Sequence, residues 1–178
     1  MKRFLLGLLP LFFAASCGAE ELATVTDFSL ERYQGRWHQI ALIPNRFQKH
    51  CIDETTADYR ILPEGRLEVV NRCRVGEGEY DQVTGEGRIH RDFKDPARLQ
   101  VRFAPKWLSW LDAVWGDYWV MSIDDAYTSV LVGAPNREYL WILSREPRIG
   151  DDRYKQLVDL AMQAGFPADR IRREPTSR

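Results

Sequence analysis

Very little in this chain is equipped for chemistry. His38, His50 and His90 are scattered, and His50 beside Cys51 is not a metal-ligand spacing, so no metal site is expected. There is no Gly-x-Ser-x-Gly turn, no Gly-x-Gly-x-x-Gly phosphate loop and no His-Glu-x-x-His pair. Asp124-Asp125 and Asp151-Asp152 read as a turn and a helix start, not as paired catalytic carboxylates. The expectation is a protein that is not an enzyme and needs no cofactor. A formal charge of −1 gives a nucleic-acid partner no electrostatic footprint. No internal repeat or low-complexity segment appears. A length of 178 residues suits one domain with a sizeable core and is too short for two ordinary ones.

What is present begins with a basic start, Met1-Lys2-Arg3, an apolar run over 4–15 and a small-residue exit, Ser16-Cys17-Gly18-Ala19. Twelve apolar residues are too few to span a bilayer comfortably, so residues 1–16 read as a secretory signal peptide. Its removal takes away Lys2 and Arg3 and leaves 23 basic against 26 acidic residues, a net −3. The mature protein is expected outside the cytoplasm, where disulfides persist. With Cys17 removed or acylated, Cys51 and Cys73 are the two remaining thiols. Folding their strands about Pro63-Glu64-Gly65 brings both to one end with shared parity, offset by about three residues from direct pairing. A Cys51–Cys73 disulfide with a bend near Cys51 is expected.

After a linker (17–26) the body, 27–178, reads as strands joined by turns. A polar, helix-capable lead-in runs into Gly35, Trp37 and a first strand over 37–43. Further strands are predicted over 55–62, 66–75, 80–91, 97–104, 116–123, 128–133 and 138–144, several with period-two alternation. No helix interposes, so the strands form an antiparallel meander. An all-β, eight-stranded, antiparallel up-and-down β-barrel is the expected fold, because closure removes exposed edges. One helix follows from Asp151, with Tyr154, Leu157, Val158 and Ala161 on a stripe that packs outside the barrel. The tail from Arg170 reads as basic and loose.

Three blocks in order carry a resemblance. Leu30-Glu31-Arg32-Tyr33-Gln34-Gly35-Arg36-Trp37, Asp124-Asp125-Ala126-Tyr127 and Tyr139-Leu140-Trp141-Ile142-Leu143-Ser144-Arg145 are similar to the three motifs of the lipocalin family, specifically its bacterial lipoprotein branch. The resemblance covers about residues 27–175. In such a barrel Trp37 floors the closed end and Arg145 lays its guanidinium across the indole; Gly35, Trp37, Asp124, Tyr127 and Arg145 are fold residues, not ligand contacts. Ala14-Ala15-Ser16-Cys17 resembles a lipobox with Ala14 in place of the usual Leu. It implies acylation of Cys17 and, with Gly18 following, a lipid anchor in the bacterial outer membrane on its periplasmic face. Cleavage after Ser16 or Ala19, which releases a soluble periplasmic protein, is the alternative.

Inward parity offers Gln39, Ala41, Tyr59, Leu67, Val69, Leu99, Val101, Phe103, Tyr139 and Trp141 as lining, widened by Ala57 and Gly87. Trp115 and Trp141 match aromatic pocket positions of the bacterial branch. The candidate ligand-binding set is therefore Tyr59, Val69, Phe103, Trp115, Tyr139 and Trp141, with Arg72, Arg74 and Lys106 near the mouth for an anionic head group. Residues 106–115 place three Trp in one loop between strands five and six, at the open end, as a lid, a bilayer contact or a homodimer contact. The leading function is non-catalytic binding of a single-chain lipid, a fatty acid or lysophospholipid. The alternatives are an envelope interaction module with a filled barrel, a lipocalin-fold enzyme acting on a hydrophobic substrate, and a pigment carrier.

Overall fold

Period-two alternation makes strands, and short turns between them leave the meander one compact solution. In a computed structural model, which describes residues 21–175, the strands are β1 (Gly35–Leu42), β2 (Asp53–Ile61), β3 (Leu67–Gly76), β4 (Glu79–Ile89), β5 (Arg98–Arg102), β6 (Gly116–Ile123), β7 (Ser129–Gly133) and β8 (Leu140–Ser144). Each pairs antiparallel with the next, and β8 returns to β1 through His38↔Ser144 and Gln39↔Leu143, closing the barrel. A one-turn helix α1 (Leu30–Tyr33), capped by the Ser29 hydroxyl accepting from Arg32 N–H, leads into β1. Gly35 has φ +89°, and a Cβ there would stand 3.4 Å from Arg145 Nη1.

The pleat sorts the side chains into two cores. Tyr59↔Val69↔Gly85 and Ile61↔Leu67↔Gly87↔Val101 face the lumen, with Leu99, Val120, Val130, Val132 and Leu143. Ile40, Trp119, Leu131, Leu140 and Ile142 face out. Against them pack Leu157 and Ala161 of α2 (Asp151–Gln163), then Phe166 and Ile171. Each large aliphatic side chain buried in this way contributes about 1.5–3 kcal/mol. No helix among the described residues is long and apolar enough to cross a membrane. The disulfide joins Cys51 to Cys73 at the open end, with Cα atoms 5.5 Å apart. The β2–β3 register shifts between Asp53 and Thr56, and Glu54 has φ +53°, which supplies the bend at Cys51.

Three expectations fail here for physical reasons. Gln39↔Leu143 is followed by Ala41↔Ile142, so Ile40 is an extra residue and its bulge flips Ala41 from the lumen to the helix-facing core. Residues 21–26, expected as linker, belong to the body: Leu22 is 1% exposed and Val25 N–H donates to Val120 O at 3.0 Å. The tail is not loose. The β1–β2 ladder stops at His38↔Thr56, and above it a short strand β9 (Arg172–Arg173) takes the free edge of β1. Residues 1–16, expected as a signal peptide, and Cys17 lie outside the described residues.

Candidate functional site

At the closed end the three sequence blocks meet. Trp37 is fully buried and donates through Nε1 to Tyr33 O at 2.8 Å. The Arg145 guanidinium lies 3.9 Å above its ring, a contact worth roughly 0.5–2 kcal/mol. Its Nη1 and Nη2 donate to Arg36 O and Arg32 O at 2.8 Å, and its Nε to Tyr127 O at 3.3 Å. Tyr127, at φ +57°, accepts from Ser29 N–H at its hydroxyl. Asp124 accepts from the N–H and hydroxyl groups of Thr128 and Ser129. Burial acts to raise its carboxyl, but these bonds outweigh it and hold the group at about 2. Every partner here ties strand ends together, which is structural work.

Above this floor sits a layer the sequence did not reveal. Tyr118 OH lies 2.7 Å from both Tyr33 OH and Tyr59 OH, so three elements bring their hydroxyls to one point in the lumen. Burial pushes Tyr59 up to about 12 and the other two well above 10, so all three remain neutral. Their hydroxyls bond one another, and no base among the described residues shares a hydrogen bond with them. Tyr33 precedes the strand pattern, and the visible signal for Tyr118 was its shared parity with Val120.

Toward the mouth the aromatic stack continues. Trp141 stacks on Tyr118 and Tyr139 on Trp141, each at 6.1 Å, and Phe47 of the β1–β2 loop lies 6.1 Å beyond Tyr139. Trp141 Nε1 donates to Gln48 Oε1 (3.0 Å), Gln48 Nε2 to Gln39 Oε1 (2.8 Å) and Gln39 Nε2 to Glu174 Oε2 (2.9 Å). Glu174 follows β9 and also accepts from Thr55 N–H at 2.7 Å. Burial raises its carboxyl, only partly offset by these bonds.

Burial divides the lumen in two. Leu67, Val69, Leu99, Tyr59 and Tyr118 are sealed, whereas the inward-facing Ala57, Asn71, Gly85, Val101, Tyr139 and Trp141 keep part of their surface accessible. Phe103 is 38% exposed and lies over Gly85, where a Cβ would stand 2.6 Å from its ring. Thus Tyr59, Val69, Phe103, Tyr139 and Trp141 do share the lumen, the first two at its sealed base and the others in its open part.

Trp115 does not join them. Its ring lies 3.8 Å from Arg88 and 5.2 Å from Arg102, and these side chains share the outer face with Gln100 and Glu86. Its Nε1 donates to Ser109 O at 2.9 Å, and Asp112 pairs with Arg91 beyond the closed end of β4. The segment therefore folds down the outer wall instead of lidding the mouth, because outward guanidinium groups offer it cation–π and ionic partners. It leaves Trp107 and Trp110 73% and 74% exposed. Arg72 and Arg74 also point outward, the first over Tyr80 at 3.6 Å and the second paired with buried Asp53, so neither meets a ligand in the lumen. A groove of about 520 Å³, lined by both polar and apolar side chains, lies beside the tail, but its Arg36 and Arg173 are engaged by Asp58 and Asp151. His50, Cys51 and Cys73 stand close enough to share an ion, yet both sulfurs are in the disulfide.

Residues 28–176 match the family model described as a lipocalin-like domain. The chain is 37% identical over 159 residues to temperature-induced lipocalin-1 of Arabidopsis thaliana, covering 89% of this chain and 84% of that protein. It is 30% identical over 164 residues to the outer membrane lipoprotein Blc of Citrobacter freundii, covering 90% and 88%. Among solved structures, insecticyanin from the tobacco hornworm Manduca sexta superposes with a TM-score of 0.64 at 20% identity, covering 90% of this chain and 87% of that one.

Proposed function

The chain belongs to the lipocalin family, alongside the bacterial outer membrane lipoproteins, and from that premise we propose that it binds and carries a single-chain lipid, a fatty acid or lysophospholipid, without catalysis. The observation that carries this reading is the open upper lumen. Trp141 and Tyr139 present stacked faces there, above a sealed base of neutral tyrosines. Each buried CH₂ of an acyl chain contributes about 0.8 kcal/mol, so an ordinary chain reaches micromolar affinity after association costs. Titration with palmitate or a lysophospholipid should change Trp emission saturably, and Trp141→Ala should weaken binding with the fold retained. Absence of binding below roughly 100 μM, or an unimpaired Trp141→Ala variant, overturns the assignment.

The resemblance of residues 14–17 to a lipobox supports a tether through acylated Cys17 at the periplasmic face of the outer membrane. A Cys17→Ala precursor should then move from the membrane fraction to the soluble one; a wild type already soluble and unacylated removes the tether and leaves the carrier reading standing. Exposed Trp107 and Trp110 favour a second role as a contact surface, a homodimer included, which sedimentation of Trp107→Ser with Trp110→Ser against wild type would reveal as a shift in mass.

A further inference from the structure

The upper wall of the barrel has two places where a ladder stops short. Between β1 and β2 the pairing ends at His38↔Thr56, and β9 takes the free edge of β1. Between β4 and β5 it ends at Glu86↔Arg102, because the chain leaves β5 there and turns down the outer wall. Above that level Tyr80, Asp81, Gln82, Val83 and Thr84 pair with β3 on one side and with no strand among the described residues on the other. All five are exposed. Gln82 N–H donates to the Asp81 carboxylate at 2.9 Å, which turns it to the open edge. By the alternation of an antiparallel ladder, the N–H groups of Tyr80 and Thr84 point the same way. Such an edge is a template for another strand, and natural edges are blunted by lysine, proline or a bulge. This segment has no lysine or proline, and its register with β3 is unbroken from Tyr80 to Gly87.

We propose that this edge pairs antiparallel with the same edge of a second copy of the chain, about a two-fold axis at Gln82. The segment is self-complementary in that register. Gln82 meets its own counterpart, Tyr80 meets Thr84 and Asp81 meets Val83, so every edge N–H finds a carbonyl and no like charges are opposed. An aromatic side chain beside a β-branched one is a favourable cross-strand pair. The one charged side chain, Asp81, already has His50 Nε2 2.9 Å away. The pairing also covers apolar lumen wall, since Val83 shares the inward parity of Val69 and is 44% exposed. Five residues make a small interface, so the dimer is a weak one, with a Kd on the order of 50 μM. The contact is separate from Trp107 and Trp110 and does not depend on what the lumen carries.

The test follows the mass and the amide exchange of the mature chain carrying Cys17→Ala from about 5 to about 500 μM. Sedimentation should show the mass rising from one chain towards two. With that Kd about a fifth of the chains stay single at the upper end, so exchange at Tyr80, Gln82 and Thr84 should slow about fivefold. Asp81 and Val83, whose N–H groups face β3, should not change and serve as the control. Gln82→Lys sets two positive charges on the axis while facing outward, and should stay monomeric with an unchanged melting temperature. Gln82→Thr, uncharged and suited to a strand, should still dimerise. A protein that stays monomeric throughout, a dimer whose edge amides exchange at the monomer rate, or a Gln82→Lys dimer of wild-type affinity overturns the proposal. So does a mass shift that Trp107→Ser with Trp110→Ser abolishes and Gln82→Lys keeps, which puts the contact on the tryptophans. Edge protection that is already complete in the dilute sample marks a segment of the same chain on the edge and overturns it too.

Discussion

Below the Tyr33–Tyr59–Tyr118 layer, the three motif blocks hold Trp37 from every side, and Arg145 alone donates to three backbone carbonyls. Above it, the strands continue with the same alternation, but one disulfide, a relay of amides and an inserted tail do the holding. The lower half is core and the upper half is a cup. Closing a barrel requires only one end to be over-determined, and the other end is then free to keep accessible surface for a ligand.

The largest effect should come from setting one tryptophan of each half against the other. Trp37→Ala removes a fully buried indole and strands the Arg145 guanidinium above a void, for a loss of about 3–5 kcal/mol. Trp141→Ala removes a partly accessible ring and one hydrogen bond, for about 1–2 kcal/mol. Urea unfolding of the two variants measures the difference. Equal losses would mean that the upper half is packed as core.

A smaller effect separates the halves by acid. Asp124 of the closed end titrates at about 2 in the fold against 3.8 unperturbed, so its ionised form stabilises the native state. That contribution is fully present above the unfolded value and is lost as pH falls from about 4 towards 2. It amounts to at most about 2 kcal/mol, since a quarter of the side chain remains exposed. Asp124→Asn should flatten the acid limb of the urea midpoint over that window. An unchanged limb would move the source of acid sensitivity elsewhere.

How much of this was legible follows the same division. Gly35, Trp37, Asp124, Tyr127 and Arg145 were readable because their roles depend on backbone geometry that recurs with the motifs. The barrel and helix were readable because period two and the Leu157–Ala161 stripe are strong signals. The upper half was not. One bulge at Ile40 reverses the parity of Ala41, and parity counting cannot see an extra residue. Trp115 follows guanidinium partners on β4 and β5 of the outer wall, and Arg72 follows the Tyr80 ring across the β3–β4 hairpin. The tail looked loose because its side chains are polar, yet β9 is held by backbone pairing, which needs no apolar residue.

The smallest effect is the mirror image of the acid loss, and it belongs to Glu174. Burial raises its carboxyl, so the charged form is disfavoured in the fold. The sign is therefore opposite to that of Asp124: the ionised group costs stability at higher pH, and the cost is relieved as pH falls through the folded value towards the unfolded 4.5. Glu174→Gln is neutral throughout and should remove this rise. Its amide oxygen can still accept from Thr55 N–H, and its new NH₂ group suits Gln39 Oε1 once the Gln39 amide turns over. Gln48 Oε1 already accepts from Trp141 Nε1 and Asn45 Nδ2, so the Gln39–Gln48 bond is the one link the variant gives up. With one hydrogen bond of the relay lost, stability at pH 7 should fall by about 1 kcal/mol, and Trp141 emission should stay where it was because its bond to Gln48 is kept. Urea midpoints from pH 4.5 to 8 decide the matter. A variant that keeps the wild-type pH slope would show that the tail carboxylate is not its source, and a loss of several kcal/mol would show that the relay cannot turn over.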